Sequence, residues 1–178
     1  SERKIQNTEN EELLSVTITK GVIKQTELLE NSSKKDSSNL DKSKYKLVMP
    51  GDIAYNKMRM WQGAVGASKH RGIVSPAYIV LKPRQNVHPG YYHFLFRTPQ
   101  YIRESYRHSY GICDDQLSLR YEDFKTLYSP VPPSEEQKAI VTFLNYKNGQ
   151  IAKFLRKKRR LFDLLQEQAC NVVWTGKE

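Results

Sequence analysis

Cysteine is scarce in this chain. Its 178 residues include two, Cys113 and Cys170, far apart and outside any C-x-x-C pair. Neither a zinc knuckle nor a disulfide framework can be built from them, and a reducing cytosol is the compartment that fits. Long apolar runs are missing too: no stretch approaches the ~18 residues of a membrane-spanning helix, and the N-terminus has no signal-peptide pattern. A cytoplasmic location with no membrane association is expected. The four histidines, His70, His88, His93 and His108, show no H-E-x-x-H spacing and nominate no metal ligand. A glycine-rich phosphate loop is lacking as well. The nearest candidate, Gly63-Ala64-Val65-Gly66, is followed by strand-like sequence and is assigned to a turn. "VPPS" (131–134) shares only its prolines with the [DN]-P-P-[YF] motif of amino-methyltransferases and lacks the polar residue that would hold a target amine.

What is present is polar but globular, with 38% hydrophobic, 27% charged and 11% aromatic residues. The length suits one domain of roughly 100–200 residues with an extension, and leaves no room for two catalytic domains. The net charge of +10 is uneven. Residues 51–110 carry 9 basic and 2 acidic groups and residues 134–178 carry 9 and 5, whereas 1–50 carry 9 and 8 and 111–133 carry 2 and 4. Concentration of the excess in one sixty-residue stretch is what a face that meets a polyanion requires; a solvated basic surface would give the same count.

The segment "LLSVTITKGVI" (13–23) reads as one strand with Gly21 at a bend, and "ENSSKKDSSNLDKSK" (30–44) as a polar surface loop. In "YKLVMPGDIAYNKM" (45–58), Pro50-Gly51 between two apolar runs predicts a hairpin-like connection. Strand signal continues through "GAVGAS" and "GIVSPAYIVLKP". Pro89 opens one helix, and Thr98 with Pro99 at the first helical position opens a second. "FKTLYSPVPP" (124–133) is expected as a last short strand. Strands and helices follow one another without regular β-α-β alternation, so the fold class is α+β rather than a doubly wound sheet.

A further helix starts at Ser134. Ser134 is a suitable N-cap, Gln137 completes an S-x-x-Q capping box, and Glu135 and Glu136 favour the positive end of the helix dipole. Its apolar residues Ile140, Leu144, Ile151, Leu155, Phe162, Leu165, Ala169 and Val172 draw a stripe of period near 3.5, the mark of a helix seeking another helix. Asn148-Gly149 interrupts the stripe and offers a division into a short helix and a long one. The run "RKKRR" (156–160) fans around the helix axis as a solvated face, with Lys158 falling on the stripe. The expected domains are 1–133 and 134–178.

Catalytic constellations are weak. Asp114-Asp115 followed by Glu122-Asp123-Phe124-Lys125 loosely matches the carboxylate and lysine set of a Mg²⁺-dependent nuclease, which would use Asp115, Asp123 and Lys125. A second alternative is a helical adaptor whose basic face binds RNA or an acidic partner. The stretch "YNKMRMWQGAVGASKHRG" (55–72) is more informative, because it interleaves the amide and cationic side chains that read adenine and guanine edges and hold phosphates.

Four motifs in order, "LLSVTITKGVI", "YNKMRMWQGAVGASKHRGIVSPAYIVLKP", "SYGICDDQLSLRYEDFK" and "VPPSEEQKAIVTFL", resemble the target recognition domain and following conserved helix of the specificity subunit of type I restriction-modification systems. The closing "VVWTGKE" is similar to the V-T-K-G end of that helical region. The resemblance implies a non-catalytic subunit that reads half of a bipartite site in double-stranded DNA. It implies no cofactor on this chain, S-adenosylmethionine on a partner methyltransferase subunit, and a separate restriction (helicase-nuclease) subunit. A complete specificity subunit would hold two recognition domains, so one domain implies either a half-length subunit that pairs with itself through the helix or an excerpt. The segment before "LLSVTITKG" is also shorter than the family usually has. The residues assigned to DNA are Asn56, Lys57, Arg59, Gln62, Lys69 and Arg71, with Arg107, Tyr110 and Gln116 as secondary candidates. Trp61 is divided evenly between core packing and a base or sugar contact. Gly63, Gly66, Gly72 and Pro50-Gly51 are expected to shape turns, and Ile140, Leu144, Ile151, Leu155, Phe162 and Leu165 to form the helix interface.

Overall fold

The computed structural model describes residues 1–3, 11–29, 42–84, 86–113 and 116–176. It comprises two compact units, Ser1–Gln137 and Lys138–Glu178.

The first unit is α+β. Its strands are β1 (Leu14–Thr17), β2 (Gly21–Lys24), β3 (Lys46–Val48), β4 (Ile53–Asn56), β5 (Val65–Ala67), β6 (Gly72–Val74) and β7 (Tyr78–Leu81). Its helices are α1 (Gln25–Leu29), α2 (Pro89–Leu95), α3 (Pro99–Arg107) and α4 (Tyr121–Phe124), with a 3₁₀ turn at Met60–Gln62. The strands pair as β1-β2, β3-β6 and β5-β4-β7, all antiparallel. Leu14 and Val16 alternate inward from β1 and join Val22, Val48, Ala54, Val74 and Val80 in one buried cluster. β4 is different: Ile53, Ala54 and Tyr55 are consecutive and all buried, so both of its faces are covered. Tyr55 stacks on Phe124 of α4 at a centroid distance of 5.1 Å.

Three expectations about strands change. The segment 13–23 is a hairpin of two strands rather than one bent strand, because Gly21 (φ +75°) takes a left-handed conformation and the chain reverses at 18–20. Residues 45–58 turn at Pro50-Gly51 but form no hairpin, since β3 pairs with β6 while β4 enters the three-stranded sheet. The corner is held by Asp52. Its buried carboxylate accepts the Met49 N–H at 2.9 Å and takes a two-pronged ion pair from Arg3 at 2.6 and 2.9 Å. No strand forms over 124–133, where three prolines remove backbone donors and Phe124 is drawn inward from α4.

Gly63 shapes a turn as expected (φ +86°), whereas Gly66 and Gly72 lie inside strands and serve close approach. A Cβ on Gly66 would fall 2.8 Å from Gly21 Cα, and one on Gly72 would fall 2.3 Å from the Glu12 carbonyl oxygen. Where the β1-β2 turn touches β5, His93 of α2 fills the space and its Nδ1 accepts the Ala67 N–H at 3.3 Å. Arg97 locks the same joint by donating to the carbonyls of Val65, Ile18 and Thr19 at 3.1, 2.6 and 2.6 Å. Burial, with the cations Arg97 and Lys69 nearby, lowers the His93 pKa to about 4.

α2 and α3 begin at Pro89 and Pro99 as expected, and the Thr98 hydroxyl accepts the Tyr101 N–H at 3.3 Å. The last helix, α5 (Ser134–Thr175), is unbroken. Asn148-Gly149 does not divide it, because a single glycine costs only about 1 kcal/mol and good helix formers flank it. Its length is about 63 Å at ~1.5 Å per residue. Gln137 is not the reciprocal half of a capping box. Its side chain is fully buried: Oε1 accepts the His88 N–H at 2.8 Å, and Nε2 donates to the carbonyls of Asn86 at 3.1 Å and Pro132 at 2.8 Å. The polar Gln at the fourth helical position is therefore a tie between the loop before α2 and the proline segment.

Two stability predictions follow from these joints. Gln137→Leu keeps the volume but orphans a buried N–H, and should cost about 2–4 kcal/mol in urea unfolding of the whole chain; a cost below about 1 kcal/mol would show that the tie is dispensable. His93 has a folded pKa below its unfolded value of 6.5, so its contribution is fully present above that value and is lost as the pH falls through about 4. Between pH 7 and pH 4 the chain should lose about 2–3 kcal/mol more than His93→Gln, which keeps an acceptor but cannot titrate. Equal losses in the two proteins would contradict this.

Candidate nucleic-acid interface

The register Ile53↔Ala67, Ala54↔Gly66, Tyr55↔Val65 places the 56–64 connection at one end of the β4-β5 pair and the 68–71 loop at the other. At the first end Asn56 turns the chain, its Oδ1 accepting the Met58 N–H at 2.9 Å. The 3₁₀ turn follows, and buried Met60 anchors it in the core. What the anchor leaves outside is Arg59 and Met58, both exposed, with Lys57 and Gln62 half-buried. Trp61 is used structurally: its indole N–H donates to the Met58 carbonyl at 3.0 Å and its ring meets Tyr106 edge-on at 5.9 Å. These are packing contacts, and they leave Trp61 half-buried.

α3 lies directly against this turn, for a Cβ on Gly63 would stand 3.1 Å from the Ile102 side chain. The helix ends at Arg107, whose guanidinium pairs with Glu104 at 2.8 Å. Beyond it, Tyr110 and Ser118 form an isolated antiparallel bridge, and the Leu119 N–H donates to the Lys57 carbonyl at 2.9 Å. The loop carrying Tyr110 and Gln116 is thus fastened to the turn carrying Arg59 and Gln62. Tyr110 is 75% exposed, with the Arg120 guanidinium 5.8 Å from its ring centroid. Arg120 joins this surface through that contact, and Arg103 is exposed one turn before Arg107 on α3. The sequence signal for Arg103 is its i, i+4 spacing to Arg107 on a helix; Arg120 has none, because only the bridge at Tyr110 brings it there.

Lys69 and Arg71 stand apart. They lie in the loop at the far end of β5, roughly 10 Å of strand away at ~3.3 Å per residue. Ser68 fixes that loop by accepting the His70 N–H and donating to the His70 carbonyl. Arg71 is committed to Glu11, donating to one carboxylate oxygen from Nε at 2.8 Å and Nη2 at 2.6 Å. The stretch 55–72, one basic segment in sequence, is therefore divided between two surfaces by strand pairing.

For the nuclease alternative, Asp123 is half-buried and Lys125 is tied to Glu122, while Asp114 and Asp115 lie outside the described residues. Among the described residues no group of three His, Cys, Asp or Glu side chains is placed to hold a metal ion, and no described helix is long and apolar enough to cross a membrane.

In the second unit, Ile151, Leu155, Phe162 and Leu165 are each more than half exposed, whereas Ile140 and Leu144 are half-buried. A stripe of large apolar side chains left in water is a demand for a partner.

No protein-family model matches the chain, and no curated protein does. Among solved structures it is similar to the HsdS subunit from Thermoanaerobacter tengcongensis, with a TM-score of 0.53 and 21% identity over 73% of this chain. The chain spans 33% of the length of that subunit. Over the matched part, this chain has the α+β fold of an HsdS subunit.

Proposed function

We propose that the chain is a recognition unit of a type I restriction-modification specificity subunit, reading half of a bipartite site in double-stranded DNA. The observation that carries this reading is the fold it shares with an HsdS subunit. The surface built by Lys57, Arg59, Gln62, Arg103, Arg107, Tyr110, Gln116 and Arg120 supports it, since it joins cations for phosphates to amide and guanidinium groups for base edges. In this role the chain catalyses nothing. Methyl transfer, with its S-adenosylmethionine, belongs to a methyltransferase subunit and cleavage to a restriction subunit, and the assembly works where the DNA is, in the cytoplasm. The unit up to about residue 133 recognises DNA, and α5 is the arm that docks a second helix, from another copy or from a partner subunit.

Arg59 and Gln62 lie on the anchored turn, so they are the first candidates for base readout. In the assembled methyltransferase, Arg59→Ala or Gln62→Ala should relax the methylated motif at one position, at about 1–3 kcal/mol for a bidentate contact. Lys69→Ala, on the other surface, should weaken all sites alike or not at all. Mapping methylated positions genome-wide decides between them: a motif unchanged in both variants would shift readout to Tyr110 and Gln116. For the arm, Leu155→Asp places a charge in the stripe and should abolish helix pairing while the first unit stays folded. Light scattering on the chain and on its complex with the methyltransferase subunit would expose an error, because assembly undiminished in both would mean the stripe is not a seam.

A further inference from the structure

We propose that the side of α5 opposite its apolar stripe binds the phosphate backbone of duplex DNA through Lys153, Arg156, Lys157 and Arg160. The inference rests on the DNA-binding reading above and adds a second, sequence-independent contact surface on the arm.

The unbroken helix is what makes the argument possible. Because α5 passes through Asn148-Gly149 without a break, its residues keep one helical phase, at about 100° per residue. Positions i, i+3, i+4 and i+7 then share a face roughly 100° wide, and Lys153, Arg156, Lys157 and Arg160 have that spacing. Ile151, Leu155 and Phe162 fall roughly 180° away. The run 156–160 taken alone spreads around the axis, but Lys153 brings four of the six cations between 153 and 160 onto one side.

All four are exposed. From Lys138 to Phe162 the helix carries no acidic residue, and among the described residues none of the four forms an ion pair or rests on an aromatic ring. The neighbouring cations differ in this. Lys158 lies over Phe154 at 5.6 Å, and Lys147 lies over Phe143 at 5.5 Å and Tyr146 at 5.9 Å.

The spacing fits a duplex. Seven residue steps from Lys153 to Arg160 cover about 10.5 Å, a length of duplex axis that carries about three phosphates on each strand at ~3.4 Å of axis per phosphate. A single-stranded nucleic acid would call for stacking rings among the cations, and this face has none between Lys153 and Arg160. An acidic partner helix would be drawn to the apolar stripe and meet charges on its flanks; these four point away from it.

The test uses the full chain and two unrelated duplexes, with binding measured as a function of salt. Replacing Lys153, Arg156, Lys157 and Arg160 together by Gln, a good helix former, should lower the slope of log K against log salt by about 3.6 and weaken both duplexes equally. Circular dichroism should show the helix intact. As a control, Lys147→Gln, Lys158→Gln and Arg159→Gln remove three charges from other sides of the same helix and should change the slope by less than about 1. A slope that falls in proportion to charge removed in both variants would overturn the face in favour of net charge. A wild-type chain that binds duplex DNA, beside a fourfold variant with the same slope, would overturn the face and leave the recognition reading standing. Wild-type chain that binds no duplex would sink that reading itself.

Discussion

β4 is hydrogen-bonded along both edges, to β5 and to β7, and its residues Ile53, Ala54 and Tyr55 are buried in succession. A strand covered on both faces cannot shift by one residue without moving every side chain into a space shaped for another. The rest of the first unit inherits its position from this. One end of β4 meets the Asp52 corner, where the Arg3 ion pair brings the N-terminal residues alongside β7. Its other end delivers Asn56 into the turn that carries Arg59 and Gln62. α3 and the Tyr110–Ser118 loop then pack on that turn, so the candidate interface is positioned by the strand that, among those described, is hydrogen-bonded along both edges.

Local chemistry made part of this legible in the sequence. Thr98-Pro99 and Pro89 marked helix starts because a cap and a fixed φ act within a few residues, and the long stripe after Ser134 marked its helix because periodicity accumulates over many turns. The sequence misleads where the deciding contact is distant. Nothing near Pro50-Gly51 announces that β3 will pair with β6, and nothing near Gln137 announces that its amide will be taken by Asn86, His88 and Pro132 rather than by its own helix. The interface was legible as a set of residue types and illegible as a surface. Lys69 and Arg71 are neighbours of Gln62 in sequence, yet β5 carries them to the opposite end, while Arg120 reaches the Tyr110 ring from beyond the bridge.

The two units answer different physical demands. The first ties buried polar side chains such as Asp52 and Gln137 into its own frame and exposes cations and amides at one end; the second satisfies its backbone within one helix and leaves apolar and cationic side chains in water on two sides. An apolar side and a basic side on one rigid rod can be occupied at the same time without competing, since they face apart. Under the proposed function, helix pairing and phosphate contact would then reinforce each other, because fixing the rod against a second helix also fixes where its cations stand.

The anchoring of the 56–64 turn by Met60 and Trp61 has a consequence for how such a domain can change over generations. The side chains that hold the turn, Met60 in the core and Trp61 against Tyr106, are flanked by exposed Arg59 and half-buried Gln62, neither of which lies in the core. Substitution at the second pair leaves the core side chains and the backbone hydrogen bonds of the turn in place, so stability places a weaker filter on it than on Met60. The fold can thus be inherited with little change while the outward letters of one short turn drift; under the proposed function, a lineage carrying it would acquire a new target without first passing through an unstable protein.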